Sequence, residues 1–226
     1  MKHYNFVVFD LDGTLLDTRE GVIAATIQTM QDYNREIPDR KVLEGLIGPP
    51  IQVSFQKFYN LTDSDAMQMA NDFRNKYMMD EFLFKAVPYD GIFELFNKLV
   101  ALGIKIGIAT YKREDYAKRL LFQKGFDRYT QFIYGSDFSG NRRKEDIIRL
   151  CLEDMACVDS ARAVYIGDGE SDGIGANNAG TDFIAVTYGF GFNKKEDALV
   201  HRPSHVAASV KDLTRILIDD HCTGGE

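Results

Sequence analysis

The sequence predicts an α/β protein: a doubly wound parallel-sheet core with an inserted α-helical domain. From about residue 86 onwards, short apolar runs alternate with helical segments, a pattern typical of a parallel sheet with helices on both faces. A further apolar run lies at residues 6–9, whereas the segment that follows it contains no convincing strand. We therefore expect residues 1–16 and 86–226 to form the core and residues 17–85 to form a helical cap.

The core elements are predicted from apolar runs and from glycines that end helices. The apolar run at residues 6–9 is dense enough for a strand buried on both faces. The other strands are expected at residues 104–109, 132–134, 163–166 and 183–186. The helices are expected at residues 91–102, 113–124, 143–155, 171–179 and 211–219.

Four helices are predicted in the insertion. Thr18 is expected to cap the first helix, and Asp39 lies at the start of the second. Gly48-Pro49-Pro50 is expected to break the chain before a third helix. Thr62 begins a segment typical of a helix N-terminus, after which a long helix should run through Met67 to Met78.

Composition excludes several classes of protein. The chain has 226 residues and a net charge of −7, which disfavours a nucleic-acid polymer as partner. Its three cysteines form no paired framework, which fits a reducing compartment. No signal peptide and no apolar run of membrane-spanning length is visible, so we expect a cytoplasmic protein with no membrane partner.

Two carboxylates stand where the first strand should end. Asp10 and Asp12 are two residues apart, so in extended chain their side chains point the same way, into the crevice where open α/β sheets bind ligands. A plain turn would explain Asp12 and Gly13 but not an acid as early as Asp10. A calcium loop is excluded because its glycine and its glutamate would be at other spacings.

The segment 10–15, Asp-Leu-Asp-Gly-Thr-Leu, resembles the first motif of the haloacid dehalogenase superfamily of phosphohydrolases. The resemblance extends over nearly the whole chain and implies a Rossmann-like core with a cap after the first motif. It implies that Asp10 is a nucleophile that forms an aspartyl-phosphate, and that Asp12 moves protons to the leaving group and from water. An acid at Asp12 favours a phosphatase over a dehalogenase.

Three further segments match the motifs of that superfamily. Thr110 follows the second core strand, where the family has a Thr or Ser that binds a phosphoryl oxygen. The third motif is a lysine at the start of a helix, and we choose Lys144 over its neighbours Arg142 and Arg143. The fourth is residues 164–172, whose acids Asp168 and Asp172 end another apolar strand. The resemblance implies a Mg²⁺ ion bound by Asp10, Asp168 and the main-chain carbonyl of Asp12, with Asp172 either as a further ligand or as a group that contacts the ligands.

The substrate is expected to be a small phosphorylated molecule. Gly13, Tyr111, Lys112 and Arg19 are candidates for binding it, and the cap segment at residues 46–51 is similar to members of the phosphoglycolate phosphatase and 5′-nucleotidase-like group. We expect a monomer or a homodimer. Three alternatives stay open: a phosphosugar mutase similar to β-phosphoglucomutase, a pyrophosphatase, and a catalytically silent binding protein.

Overall fold

The computed structural model describes residues 3–46, 51–137 and 142–222, with only the backbone described at 219–222. The chain divides into two compact units, one made of Met1–Leu16 with Pro88–Glu226 and the other of Asp17–Val87. The strands β2 (Leu16–Asp17) and β3 (Val87–Pro88) lie where the chain passes from one unit to the other, and they pair as a two-stranded sheet.

The first unit is built on a six-stranded parallel sheet, which confirms the predicted fold class. Its order is β5-β4-β1-β6-β7-β8, so the first strand lies at the centre. The strands are β1 (Phe6–Phe9), β4 (Lys105–Arg113), β5 (Ile133–Ser136), β6 (Ala163–Gly167), β7 (Asp182–Val186) and β8 (His205–Ala207).

Helices cover both faces of this sheet, because its central strands are apolar on both sides. On one side Phe9 packs against Phe96, with ring centroids 5.1 Å apart. On the other, Tyr165 and Ile148 belong to one buried cluster. The helices of this unit are α6 (Ile92–Ala101), α7 (Glu114–Gln123), α8 (Lys144–Asp154), α9 (Glu170–Ala179), α10 (Lys195–Leu199) and α11 (Val210–Cys222).

The second unit is helical, with a separate core of apolar side chains. Phe55 and Phe73 meet edge to face at 6.3 Å, next to the buried Met30 and Met69. Its helices are α1 (Arg19–Asp32), α2 (Arg40–Gly45), α3 (Ile51–Tyr59), α4 (Asp63–Tyr77) and α5 (Asp80–Leu83).

Two of the helix caps predicted in the second unit are observed, and a third is not. Asp39 and Thr62 accept hydrogen bonds from Val42 and Asp65 main-chain N–H groups, as their sequence positions predict. The Thr18 cap is wrong: its side chain makes no capping bond, and the Asp17 carboxylate accepts from the Arg19 N–H instead, at 3.0 Å. The predicted break at residues 48–50 lies outside the described residues.

The structure adds elements that the sequence did not predict. β4 continues to Arg113, past the predicted end at residue 109, because a register shift lets Arg113 pair with Ser136 of β5. The elements α5, α10 and β8 were also missed, since each has three to five residues and is too short to show a hydrophobic period. Within the described ranges no helix has the length and apolar character needed to cross a bilayer.

Candidate active site

The candidate site is assembled from the carboxyl ends of three adjacent strands. In the order β4-β1-β6, Thr110 lies near the end of β4, Asp10 directly follows β1 and Asp168 directly follows β6. The parallel ladders hold these strand ends at one edge of the sheet. Lys144 is the first residue of α8, and Asp172 lies in the first turn of α9.

Lys144 lies at the centre of the site. Its Nζ is 2.6 Å from Oδ1 of Asp10 and 2.8 Å from Oδ1 of Asp172, and its side chain is 3% exposed. The helix α9 packs closely enough on Lys144 that a Cβ at Gly175 would lie 2.6 Å from its Cγ. Burial alone would lower the pKa of Lys144, but the carboxylates of Asp10 and Asp172 outweigh it and hold this pKa above its usual value.

Three buried carboxylates can offer oxygen ligands to one ion. Oxygens of Asp10, Asp168 and Asp172 all lie within 4.8 Å of one another. Burial raises the pKa of Asp10 to about 8, against the opposing effect of Lys144. Burial and the neighbouring Asp172 raise the pKa of Asp168 to about 6. One lysine thus leaves an excess of negative charge among hard oxygen donors, the combination that suits Mg²⁺.

Asp168 is held by a loop that the sequence analysis missed. Main-chain N–H groups of Phe190 and Gly191 donate to its Oδ2 at 2.7 and 3.0 Å, and that of Phe192 donates to its carbonyl at 2.7 Å. Glycine is needed here, since a Cβ at Gly189 would lie 2.4 Å from Oδ2. Alternating glycines directly after a predicted strand were the available signal.

Asp172 is fixed by two contacts besides Lys144. The Gly169 N–H donates to its Oδ2 at 3.0 Å, which caps α9. The buried hydroxyl of Tyr165 lies 3.3 Å from its Oδ1 and 2.6 Å from the carbonyl of Ala109, to which it donates. Tyr165 therefore links β4 to the acid cluster, a role hidden in a sequence where it looks like one more core residue.

Gly13 has a conformational and steric role that requires no ligand. Its φ of +82° favours glycine, and a Cβ there would meet Oδ2 of Asp168 at 2.3 Å. The turn after β1 can therefore approach Asp168 only without a side chain. Contact with a substrate stays a prediction for Gly13.

The residues near the end of β4 lie in different surroundings. Thr110 is buried, and its Oγ1 accepts from the Lys112 N–H at 3.2 Å. Tyr111 is partly exposed, and its hydroxyl accepts from the first N–H of α8, that of Lys144, at 2.9 Å. The Nζ of Lys112 lies 3.1 Å from Oδ2 of Asp12.

Asp12 lies apart from the three clustered acids. Its side chain is not in the group of carboxylates that could share an ion, so a metal contact through its main-chain carbonyl stays a prediction. Its Oδ1 is buried and has no hydrogen-bond partner among the described residues. One oxygen of Asp12 is therefore paired with a cation, and the other has no hydrogen-bond partner among the described residues.

Arg19 belongs to the helical unit. Its guanidinium forms a salt bridge to both oxygens of Asp17, with Nε at 2.9 and 3.0 Å from them. This pair and the N–H bond from Arg19 lower the pKa of Asp17 although partial burial opposes them. Substrate binding by Arg19 stays a prediction.

Acids and a buried lysine at the carboxyl edge of a doubly wound sheet suit an enzyme that handles a phosphoryl group. The chain belongs to the haloacid dehalogenase-like hydrolase family, whose model matches residues 7–186. It is similar to a 5′-nucleotidase of Pseudomonas aeruginosa, with 34% identity over 95% of this chain and 96% of the relative. A phosphoglycolate phosphatase of Neisseria meningitidis is 27% identical over 94% of this chain and 93% of its own length.

A solved structure also resembles this chain. The crystal structure of a predicted phosphatase from Clostridium acetobutylicum superposes with a TM-score of 0.83, at 32% identity, covering 96% of this chain and all of the other. These findings confirm the resemblance stated from the motifs and the prediction of a phosphatase.

Proposed function

We propose that this phosphatase removes the phosphate group from a small metabolite, a nucleoside monophosphate or a phosphoglycolate-like ester, in a Mg²⁺-dependent reaction through an aspartyl-phosphate on Asp10. The observation that supports this most is the buried contact of Lys144 with Asp10 and Asp172. A cation that holds one oxygen of Asp10 leaves the other for attack, and it offsets charge where a phosphate dianion would add more.

In the proposed reaction each of these side chains has a separate role. Asp10 attacks phosphorus, and the ester oxygen leaves with a proton from Asp12. Asp12 then takes a proton from the water that hydrolyses the aspartyl-phosphate. The Thr110 hydroxyl and Lys144 hold phosphoryl oxygens. Asp10, Asp168 and Asp172, with the carbonyl of Asp12, would hold Mg²⁺, and the bound ion supplies charge neutralisation at the phosphoryl group.

The substrate class is proposed from the relatives together with the site. The name 5′-nucleotidase for the relative at 34% identity favours a nucleoside monophosphate, and the name phosphoglycolate phosphatase supports a smaller ester. Both are alkyl phosphates, whose alkoxide needs a proton as it leaves, and Asp12 can supply one. A cytoplasmic location and a monomeric or homodimeric state stay predictions.

The test is a phosphate-release screen with Mg²⁺ across nucleoside monophosphates, phosphoglycolate, sugar phosphates and pyrophosphate. We expect Asp10→Asn to abolish release while circular dichroism stays native, since burial already favours a neutral group at this position. Asp182→Asn is the matched control, because that carboxylate bonds Tyr4 rather than the cluster. A chelator should silence the enzyme and Mg²⁺ restore it.

Two outcomes would contradict the proposal. An Asp10→Asn variant that keeps substantial turnover would exclude the aspartyl-phosphate. Transfer of the phosphate to a second sugar hydroxyl, without prompt release of inorganic phosphate in a single turnover, would indicate a mutase.

A further inference from the structure

The pair formed by Lys112 and Asp12 is a feature of the site that the proposed reaction does not yet use. The Lys112 side chain is only 7% exposed, and its Nζ lies 3.1 Å from Oδ2 of Asp12. A lysine loses much conformational freedom when it is held this way, a cost that its contact with Asp12 offsets at least in part.

The backbone holds Lys112 in place independently of any ligand. The Lys112 N–H donates to Oγ1 of Thr110, and the ladder between β4 and β5 shifts register between Ala109 and Arg113. This local bond fixes the course of the chain between Thr110 and Lys112. The ammonium group is thus delivered to Asp12 by the same strand end that delivers Thr110.

The two oxygens of Asp12 have unequal surroundings. Oδ2 faces Lys112, whereas Oδ1 is buried without a hydrogen-bond partner among the described residues. A buried carboxylate oxygen without a partner is costly, and such exceptions in folded proteins call for an explanation such as a catalytic role. Carrying a proton that passes to a leaving oxygen would be such a role for Oδ1.

We propose that Lys112 is a positioning residue that anchors Oδ2 of Asp12, so that Oδ1 alone carries the transferred proton. The proposal rests on the reaction given under Proposed function. In the first half, the Asp10–phosphorus bond forms, the ester P–O bond breaks, and the Oδ1 proton moves to the leaving oxygen. In the second half, water attacks phosphorus, the aspartyl-phosphate P–O bond breaks, and a water proton returns to Oδ1. Oδ2 can accept from Lys112 in both halves.

Substrates with different leaving groups separate this role from simple substrate binding. Nitrophenolate leaves without a proton, whereas an alkoxide requires one. We expect Lys112→Met to lower single-turnover phosphorylation by about tenfold to a hundredfold with the best alkyl phosphate from the screen, within the contribution general acids make. With p-nitrophenyl phosphate we expect less than about a threefold loss, because that reaction makes little use of general acid catalysis.

Matched variants complete the experiment. Lys118→Met removes an exposed lysine of α7 that pairs with Glu114, and it should change neither rate. In an Asp12→Asn background, Lys112→Met should cause no further loss with the alkyl phosphate, since residues that act as a unit are not additive. Lys112→Arg should recover part of the rate because the cation is kept.

The outcomes distinguish positioning of Asp12 from substrate binding as the role of Lys112. Equal losses with both substrates, expressed mainly in KM and persisting in the Asp12→Asn background, would show that Lys112 binds the substrate instead and would overturn the proposal. A wild-type enzyme that releases phosphate from neither substrate would refute the proposed function itself, a result distinct from a selective failure of the variant.

Discussion

Lys144 is expected to be the residue whose loss costs the folded protein most stability among the charged groups of the site. Lys144→Met keeps most of the side-chain volume but removes the cation from between Asp10 and Asp172. The carboxylates of Asp10 and Asp172 would then both be buried without the cation that pairs with them in the wild-type protein. Breaking a buried ion pair by removing one partner is far more costly than deleting an exposed one.

The distances set the size of the effect. At 2.6 and 2.8 Å and an effective dielectric near 20, each contact corresponds to about 6 kcal/mol of gross attraction. Part of this is offset, because the variant no longer has to desolvate an ammonium group and because Asp10, whose pKa burial already raises to about 8, can take up a proton once the cation is gone. We expect a net loss of about 3–5 kcal/mol in the free energy of unfolding.

Urea unfolding in a chelating buffer measures this loss. Arg215→Met is the control, since its side chain is 70% exposed, that of its partner Asp212 is 39% exposed, and such a pair should contribute less than about 1 kcal/mol. Adding Asp10→Asn to Lys144→Met should recover a large part of the loss, since one unpaired charge is removed. A Lys144→Met variant within about 1 kcal/mol of wild type, at an unchanged urea m-value, would refute the electrostatic reasoning.

Three further predictions concern the frame of the site. Gly13→Ala should destabilise the protein more than Gly103→Ala in urea unfolding, and it should weaken Mg²⁺ binding in calorimetry. Both positions have positive φ, but only at Gly13 would a Cβ strike Asp168. Equal losses of stability in the two variants would exclude the clash. Tyr165→Phe should lose about 1–3 kcal/mol in the same assay because the carbonyl of Ala109 loses a buried donor, and an unchanged stability would contradict that bond. Mg²⁺ at a hundredfold excess over its Kd should stabilise the wild-type protein by about 2.7 kcal/mol in thermal melts and should have a smaller effect on Asp168→Asn, with Asp182→Asn behaving as wild type.

The acids at the strand ends could be predicted because their placement follows from topology. Asp10, Thr110 and Asp168 each come at the end of an apolar run, and strands in a parallel sheet end at one edge. The order β4-β1-β6 then makes them neighbours. Strand recognition is enough to predict the shared edge, whereas the strand order that makes these residues neighbours comes from the structure.

The choice among three consecutive cations required a different signal. Arg142, Arg143 and Lys144 are chemically interchangeable as a charge, and only the start of α8 decides which of them is buried. The Arg143 N–H donates to the side chain of Asp146 at 3.1 Å, which makes Lys144 the first helical residue. An acid three residues after the N-cap is part of a capping pattern, but Glu145 follows Arg142 at the same spacing, so this pattern alone does not decide the register.

The contacts that hold the acids were harder to predict, because main-chain groups make them. Asp168 is bound by N–H groups of Phe190 and Gly191, and any residue type except proline can supply an N–H. What residue type does record is the space available: Cβ atoms at Gly13, Gly189 and Gly191 would each lie within 2.4 Å of an atom of Asp168 or its neighbouring chain. Glycines distant in sequence therefore indicate that several backbone segments pack closely around Asp168. A pattern of glycines after β1 and β7, interpreted together with the acid after β6, would have indicated where the backbone closes on the site.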